Sequence, residues 1–134
     1  MNDLLRKSGY STTAIEYYTK KKNVGILKNS SVALSYTGSC GDTIKIYLMI
    51  DSGVIIDAKF EAIGCAGAFS AGSALLEISK GKSIIEAGKI STEDIIEHLG
   101  GVPSTKIDCV YLARKAFEQT LELFKEKNHL NITR

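Results

Sequence analysis

Three cysteines, Cys40, Cys65 and Cys109, are the residues best suited to chemistry in this chain. Each has a distinctive setting. Cys40 opens the triplet Cys40-Gly41-Asp42, Cys65 follows Gly64 and leads into small residues, and Cys109 follows Lys106-Ile107-Asp108. A thiolate is both a nucleophile and a soft metal ligand. Three thiolates with one carboxylate make a four-ligand, partly hard site suited to zinc or an iron–sulfur cluster, and an oxygen ligand eases release of a cluster. Asp42 is the first candidate for the carboxylate. Asp108 is the alternative, although a place just before a helix also suits it to an N-cap role. Gly38, Gly41 and Gly64 are expected to let the backbone approach a bulky inorganic group. His98 and His129 read as a helix-end residue and a tail residue rather than ligands.

The elements around these residues explain how they meet. A short helix is expected over Thr12 to Lys20 and ends at Asn23-Val24-Gly25. Three runs then alternate apolar and polar residues, around Val32 to Thr37, Thr43 to Ile50 and Ile56 to Glu61, as half-buried strands do. Matching the apolar faces of the second and third runs sets Ile50 opposite Val54, Leu48 opposite Ile56 and Ile46 opposite Ala58, with a three-residue loop Asp51-Ser52-Gly53. Extended to its open end, that register puts Asp42 opposite Ala62 and Cys40 opposite Gly64, so Cys40 and Cys65 become neighbours. Helices follow over residues 66 to 80, Ser83 to Ala87, from Ser91 to Gly100-Gly101, and from Cys109 to Lys127. Ser91 to Asp94 carries an N-terminal capping signal. Cys65 and Cys109 both fall at helix starts, where unpaired amides and the dipole favour a thiolate. Strands first and helices after give an α+β domain, a three-stranded antiparallel sheet with helices packed on one face. A single domain spans residues 1–134, with 1–10 and 128–134 as flexible ends.

Bulk properties narrow the function. The formal net charge is +2, from 17 basic and 15 acidic residues, too balanced for a nucleic-acid or anionic-membrane partner. No apolar run is long enough to span a membrane. The opening Met1-Asn2-Asp3-Leu4-Leu5-Arg6 lacks the apolar core of a signal peptide, so a cytoplasmic, reducing location is expected. Three thiols in such a compartment are more suited to metal binding or reactivity than to disulfides.

These residues resemble the IscU/NifU family of iron–sulfur cluster scaffolds. Cys40-Gly41-Asp42 and Gly64-Cys65 match its first two cysteine motifs. Lys106-Ile107-Asp108-Cys109 is similar to its third, which usually reads Lys-Ile-His-Cys, and Asn23-Val24-Gly25 resembles its N-terminal motif. The match runs in one register over roughly residues 10 to 125. It implies an IscU/SufE-like fold and a labile 2Fe–2S cluster on Cys40, Cys65 and Cys109, completed by Asp42 or Asp108. A 4Fe–4S cluster on dimerisation, and zinc in place of a cluster, stay open. The resemblance also implies a scaffold rather than an enzyme, receiving sulfur from a cysteine desulfurase and passing clusters to acceptor apo-proteins. Cys109 is the preferred persulfide acceptor, with Lys106 beside it. Frataxin-like or Hsp70-type helpers and a cluster-loaded homodimer are further implied partners. The alternative is a zinc-bound, SufU-like sulfurtransferase acceptor. Two departures stand out: Asp108 replaces the family's histidine, and the Leu-Pro-Pro-Val-Lys chaperone motif is reduced to Val102-Pro103-Ser104-Thr105-Lys106.

Overall fold

A computed structural model of the protein describes residues 2–39 and 41–132. Cys40 lies outside the described residues, as do the side chains beyond residue 128, including that of His129. Three strands, β1 (Val32–Thr37), β2 (Thr43–Asp51) and β3 (Val54–Ile63), form an antiparallel sheet in the order β1-β2-β3. Among the described residues six α-helices accompany it: α1 (Asn2–Lys7), α2 (Thr12–Thr19), α3 (Ala66–Ser79), α4 (Ile84–Ala87), α5 (Thr92–Leu99) and α6 (Ile107–Ile132). Among the described residues no helix is long and apolar enough to cross a membrane.

The helix boundaries follow local chemistry. Ser83 caps α4 through the amide of Glu86, and Ser91 and Asp94 form a reciprocal capping box on α5. Gly100 closes α5 in the left-handed conformation, with φ 76°, which a glycine adopts without a Cβ penalty. The last helix begins earlier than its periodicity suggests. A 3-10 turn over Ser104–Lys106 leads directly into α6 at Ile107. Asp108 therefore sits in the first turn of α6 instead of capping it from outside. At the other end of the chain, where flexibility is expected over residues 1–10, Asn2–Lys7 form α1 and Tyr10 is buried in the core.

The inner face of the sheet carries Val32, Ile44, Ile46, Leu48, Ala58 and Phe60, all buried. Against them pack α3 and α6, with Leu75, Leu76, Val110, Ala113 and Phe117 in the same cluster. Gly72 lets α3 come close: a Cβ there would lie 2.9 Å from Phe60 Cε2. The opposite face is largely polar. Lys45 stands across from Glu61, and Tyr47 is buried between them, its hydroxyl donating to Glu61 and its ring under the Lys45 ammonium.

The β2–β3 register differs from the one expected from alternation. Ile46 pairs with Phe60, Leu48 with Ala58 and Ile44 with Ala62, while near the turn Ile50 pairs with Ile55 and Asp51 with Val54. The loop is thus Ser52-Gly53 alone, both with positive φ (52° and 77°), as a mirror-image type I hairpin turn requires. A bulge between Met49 and Ile50 leaves Ile56 as the extra residue. Ile55 consequently points into the core while Ile56 is 53% exposed. Two adjacent isoleucines offer the core either phase, so alternation alone cannot choose between them. The bulge restores the correct phase beyond the turn.

Candidate metal centre

Continuing the observed ladder past its last pair, Thr43 with Ile63, brings Asp42 rather than Cys40 against Gly64. A Cβ built on Gly64 would lie 2.7 Å from Asp42 Oδ2. Gly64 therefore makes room for the Asp42 carboxylate. Gly41 has a different task. Its φ of 91° turns the chain between β1 and β2, with the Gly38 amide donating to the Asp42 carbonyl and the Gly41 amide to the Gly38 carbonyl. Cys40 belongs to this loop by sequence, but its placement lies outside the described residues.

Cys65 occupies the N-cap of α3 in extended conformation, with φ −85° and ψ 174°. Cys109 lies in the first turn of α6 and is 8% exposed. Two helix starts, from opposite ends of the helical layer in sequence, thus converge. The two sulfurs are 3.5 Å apart. One ligand atom from each of Asp42, Cys65 and Cys109 falls within 4.8 Å of the others. Asp108 is exposed and takes no part in this group. It lines an adjacent open groove with Tyr36, Ser39 and Arg114.

The two thiols are electrostatically unequal. Burial raises the pKa of Cys65, but the amides of Ala68 and Gly67 at the helix start, the Cys109 thiol and the Lys106 charge together outweigh it and lower the pKa. Burial pushes Cys109 up to about 12, helped by its hydrogen bond to Cys65 and by the Cys65 charge, with Lys106 opposing. The pair therefore shares its first ionisation with the charge on Cys65 and the proton on Cys109. Lys106, half-buried at the end of the 3-10 turn, supplies positive charge to both sulfurs.

Tyr10 is a component that sequence reasoning missed. The Gly67 position shows how tightly it sits: a Cβ there would lie 3.1 Å from Cys109 Sγ, 3.2 Å from the Tyr10 hydroxyl and 3.3 Å from Lys106 Cβ. Burial first, then the charge of the two cysteines, pushes the Tyr10 phenol up to about 12, so it remains a proton donor at neutral pH. The only sequence signal was an aromatic residue directly before the Ser11 cap of α2.

This donor set, two thiolates and a carboxylate beside a lysine, fits a soft or borderline metal such as iron in a cluster or zinc. It does not resemble a hard-cation site, which needs mainly oxygen ligands. The Gly64 contact yields a direct prediction. Gly64→Ala costs some stability, because the added Cβ would lie 2.8 Å from Asp42 Cγ and 3.2 Å from Asp42 Cβ as well as against the carboxylate oxygen, and it displaces the Asp42 carboxylate. A metal or cluster held by this group should be lost at the rate seen in an Asp42→Ala protein; a rate matching the unmodified chain would contradict the contact.

Comparison with known proteins places the chain among relatives of one kind. The family described as NifU-like N-terminal domain matches residues 9–131. The iron–sulfur cluster assembly protein IscU of Plasmodium falciparum is 39% identical over 122 residues, covering 88% of this chain and 75% of that protein. The iron–sulfur cluster assembly scaffold protein IscU of Haemophilus influenzae is 37% identical, covering 88% of this chain and 97% of that one. Among solved structures, a putative iron–sulfur cluster assembly scaffold for the SUF system from Fervidobacterium islandicum superposes with a TM-score of 0.70 at 26% identity, over 84% of this chain and 96% of that one. A NifU-like N-terminal protein from Brucella abortus, at 17% identity and a TM-score of 0.73, shares the fold over 92% of this chain and 99% of that one.

Proposed function

The chain belongs to the family of NifU-like N-terminal domains, and we propose that it is a scaffold on which a labile iron–sulfur cluster is assembled and from which it is passed to acceptor apo-proteins. The observation that carries this reading is the convergence of Asp42, Cys65 and Cys109 within 4.8 Å. They come from three separate elements: the loop before β2, the start of α3 and the start of α6. Cys40, in the same loop as Asp42, supplies the third thiolate. The cluster is cargo, not a resident cofactor, and the protein acts as carrier without classical turnover. A 2Fe–2S form suits one site of this size, with sulfur supplied by a cysteine desulfurase. The three thiols require a reducing compartment, consistent with the cytoplasm.

Each residue has a distinct part. Cys65, the more readily ionised thiol, offers a thiolate to incoming iron. Cys109, deeper in the site, passes its proton to the Cys65 thiolate 3.5 Å away and receives persulfide sulfur as the resulting thiolate. Lys106 offsets the negative charge that accumulates as thiolates and sulfide gather. Asp42 gives an oxygen ligand that exchanges more readily than sulfur, which keeps the cluster transferable. A second reading, a zinc-holding sulfur acceptor, draws on the same donor set and on the likeness to the SUF-system protein from Fervidobacterium islandicum.

Asp42→Ala should lengthen the lifetime of the cluster, because the exchangeable ligand and the water it draws to iron are removed together. Visible absorbance followed against time, with an apo-ferredoxin acceptor present, measures this. Decay as fast as in the unmodified chain would remove Asp42 from the role.

A further inference from the structure

A sulfur atom arriving as persulfide is at the zero oxidation level, and must gain two electrons before it can enter a cluster as sulfide. The structure holds a two-electron source at the place of arrival. Cys65 Sγ and Cys109 Sγ are 3.5 Å apart, essentially in van der Waals contact, and among the described residues both are free thiols. Closing them to the bond length of about 2.05 Å requires a shift of only about 1.5 Å. Cys65 stands at a strand-to-helix junction and is half-buried, so a small rotation of its side chain can provide that shift. Lys106 starts from the same spot, its Cβ and Cys109 Sγ both lying against the Gly67 position, so a cationic side chain belongs to the surroundings of the pair.

We propose that Cys65 and Cys109 act as an internal reductant for persulfide sulfur, releasing sulfide inside the site and closing to a disulfide. With the persulfide on Cys109, the Cys65 thiolate attacks Cys109 Sγ, the Cys65–Cys109 bond forms, and the bond from Cys109 Sγ to the outer sulfur breaks. The outer sulfur leaves as hydrosulfide with the electron pair of the broken bond. It is reduced by two electrons, and the two cysteine sulfurs are together oxidised by two. A small dithiol reductant of the thioredoxin class then exchanges with the disulfide and returns both thiols. Attack on the outer sulfur instead would only move the persulfide to Cys65 and release nothing, so sulfide release distinguishes the two courses. The scaffold reading supplies the use made of the sulfide; the reaction itself requires no iron.

The test uses the reduced, metal-free full chain under anaerobic conditions, with a persulfide-loaded cysteine desulfurase, freed of cysteine, as donor, whose leaving group is its own thiolate and not sulfide, and no other thiol. Free sulfide is measured, and peptide mapping locates any cross-link. The expected result is sulfide release matched by a Cys65–Cys109 disulfide, with release falling about tenfold or more in Cys65→Ser, which retains its persulfide. Oxidised glutathione, applied separately, should close the same pair without releasing sulfide. Equal sulfide release from Cys65→Ser, a cross-link that maps to Cys40, or failure of both reagents to join Cys65 to Cys109 would each overturn the proposal. None of these outcomes depends on iron binding, so a failure of the scaffold reading would appear separately, as absence of a cluster in reconstitution.

Discussion

Cys109→Ser is expected to abolish cluster assembly while leaving the fold in place. Cys109 is nearly buried at the start of α6, where it lies within ligand distance of both Asp42 and Cys65. Serine has almost the same volume, so the helix start keeps its packing, and the change in stability should stay near the 1 kcal/mol typical of a small buried substitution. A serine hydroxyl, however, stays protonated at neutral pH and is neither a soft ligand nor an acceptor of persulfide sulfur. Iron and sulfide bound after anaerobic reconstitution should fall to background, while far-ultraviolet circular dichroism is unchanged. A normal visible spectrum from this variant would remove Cys109 from the centre altogether.

Phe60→Ala carries the largest expected loss of stability. Phe60 is fully buried in the middle of β3. Its ring fills the space left by Gly72 on α3 and lies 6.0 Å from the ring of Phe69. Its backbone also joins the segment after α2 to the sheet, through the Gly25 amide and the Asn23 carbonyl. Truncation leaves a cavity between β3 and the helix that carries Cys65, for which a cost of about 3–5 kcal/mol is expected. Urea unfolding followed by circular dichroism should show the midpoint fall sharply with little change in slope. A loss below about 1 kcal/mol would mean that the α3–β3 interface collapses to fill the gap.

Much of this architecture is legible in residues with strong local preferences. Ser83, Ser91 and Gly100 mark helix ends because caps depend on near neighbours. The three strands are legible for the same reason, since alternation is a local pattern. Register is not local. The bulge at Met49/Ile50 depends on which of Ile55 and Ile56 the helices cover, and both satisfy the pattern equally. That one shift decides whether Asp42 or Cys40 stands against Gly64.

The centre divides in a similar way. Placing Cys65 and Cys109 at helix starts follows from sequence, but their 3.5 Å separation depends on how α3 and α6 pack, which no spacing encodes. Asp108 illustrates how a local shift in helix entry changes a side chain's surroundings. Its place beside Cys109 suggests a ligand or a cap, yet the 3-10 turn at Ser104–Lys106 moves the helix entry upstream and leaves its side chain exposed on the outer surface. Tyr10 reaches the thiols only because α1 and α2 fold its segment back over the start of α3, and α1 is too short to be recognised from propensity alone.

Anaerobic reconstitution with iron, cysteine and a desulfurase, followed by iron, sulfide and zinc analysis, tests the central claim most directly. A scaffold should hold iron and sulfide in equal amounts and lose both to added apo-ferredoxin. Tightly held zinc with no sulfide would contradict it and favour the sulfur-acceptor reading.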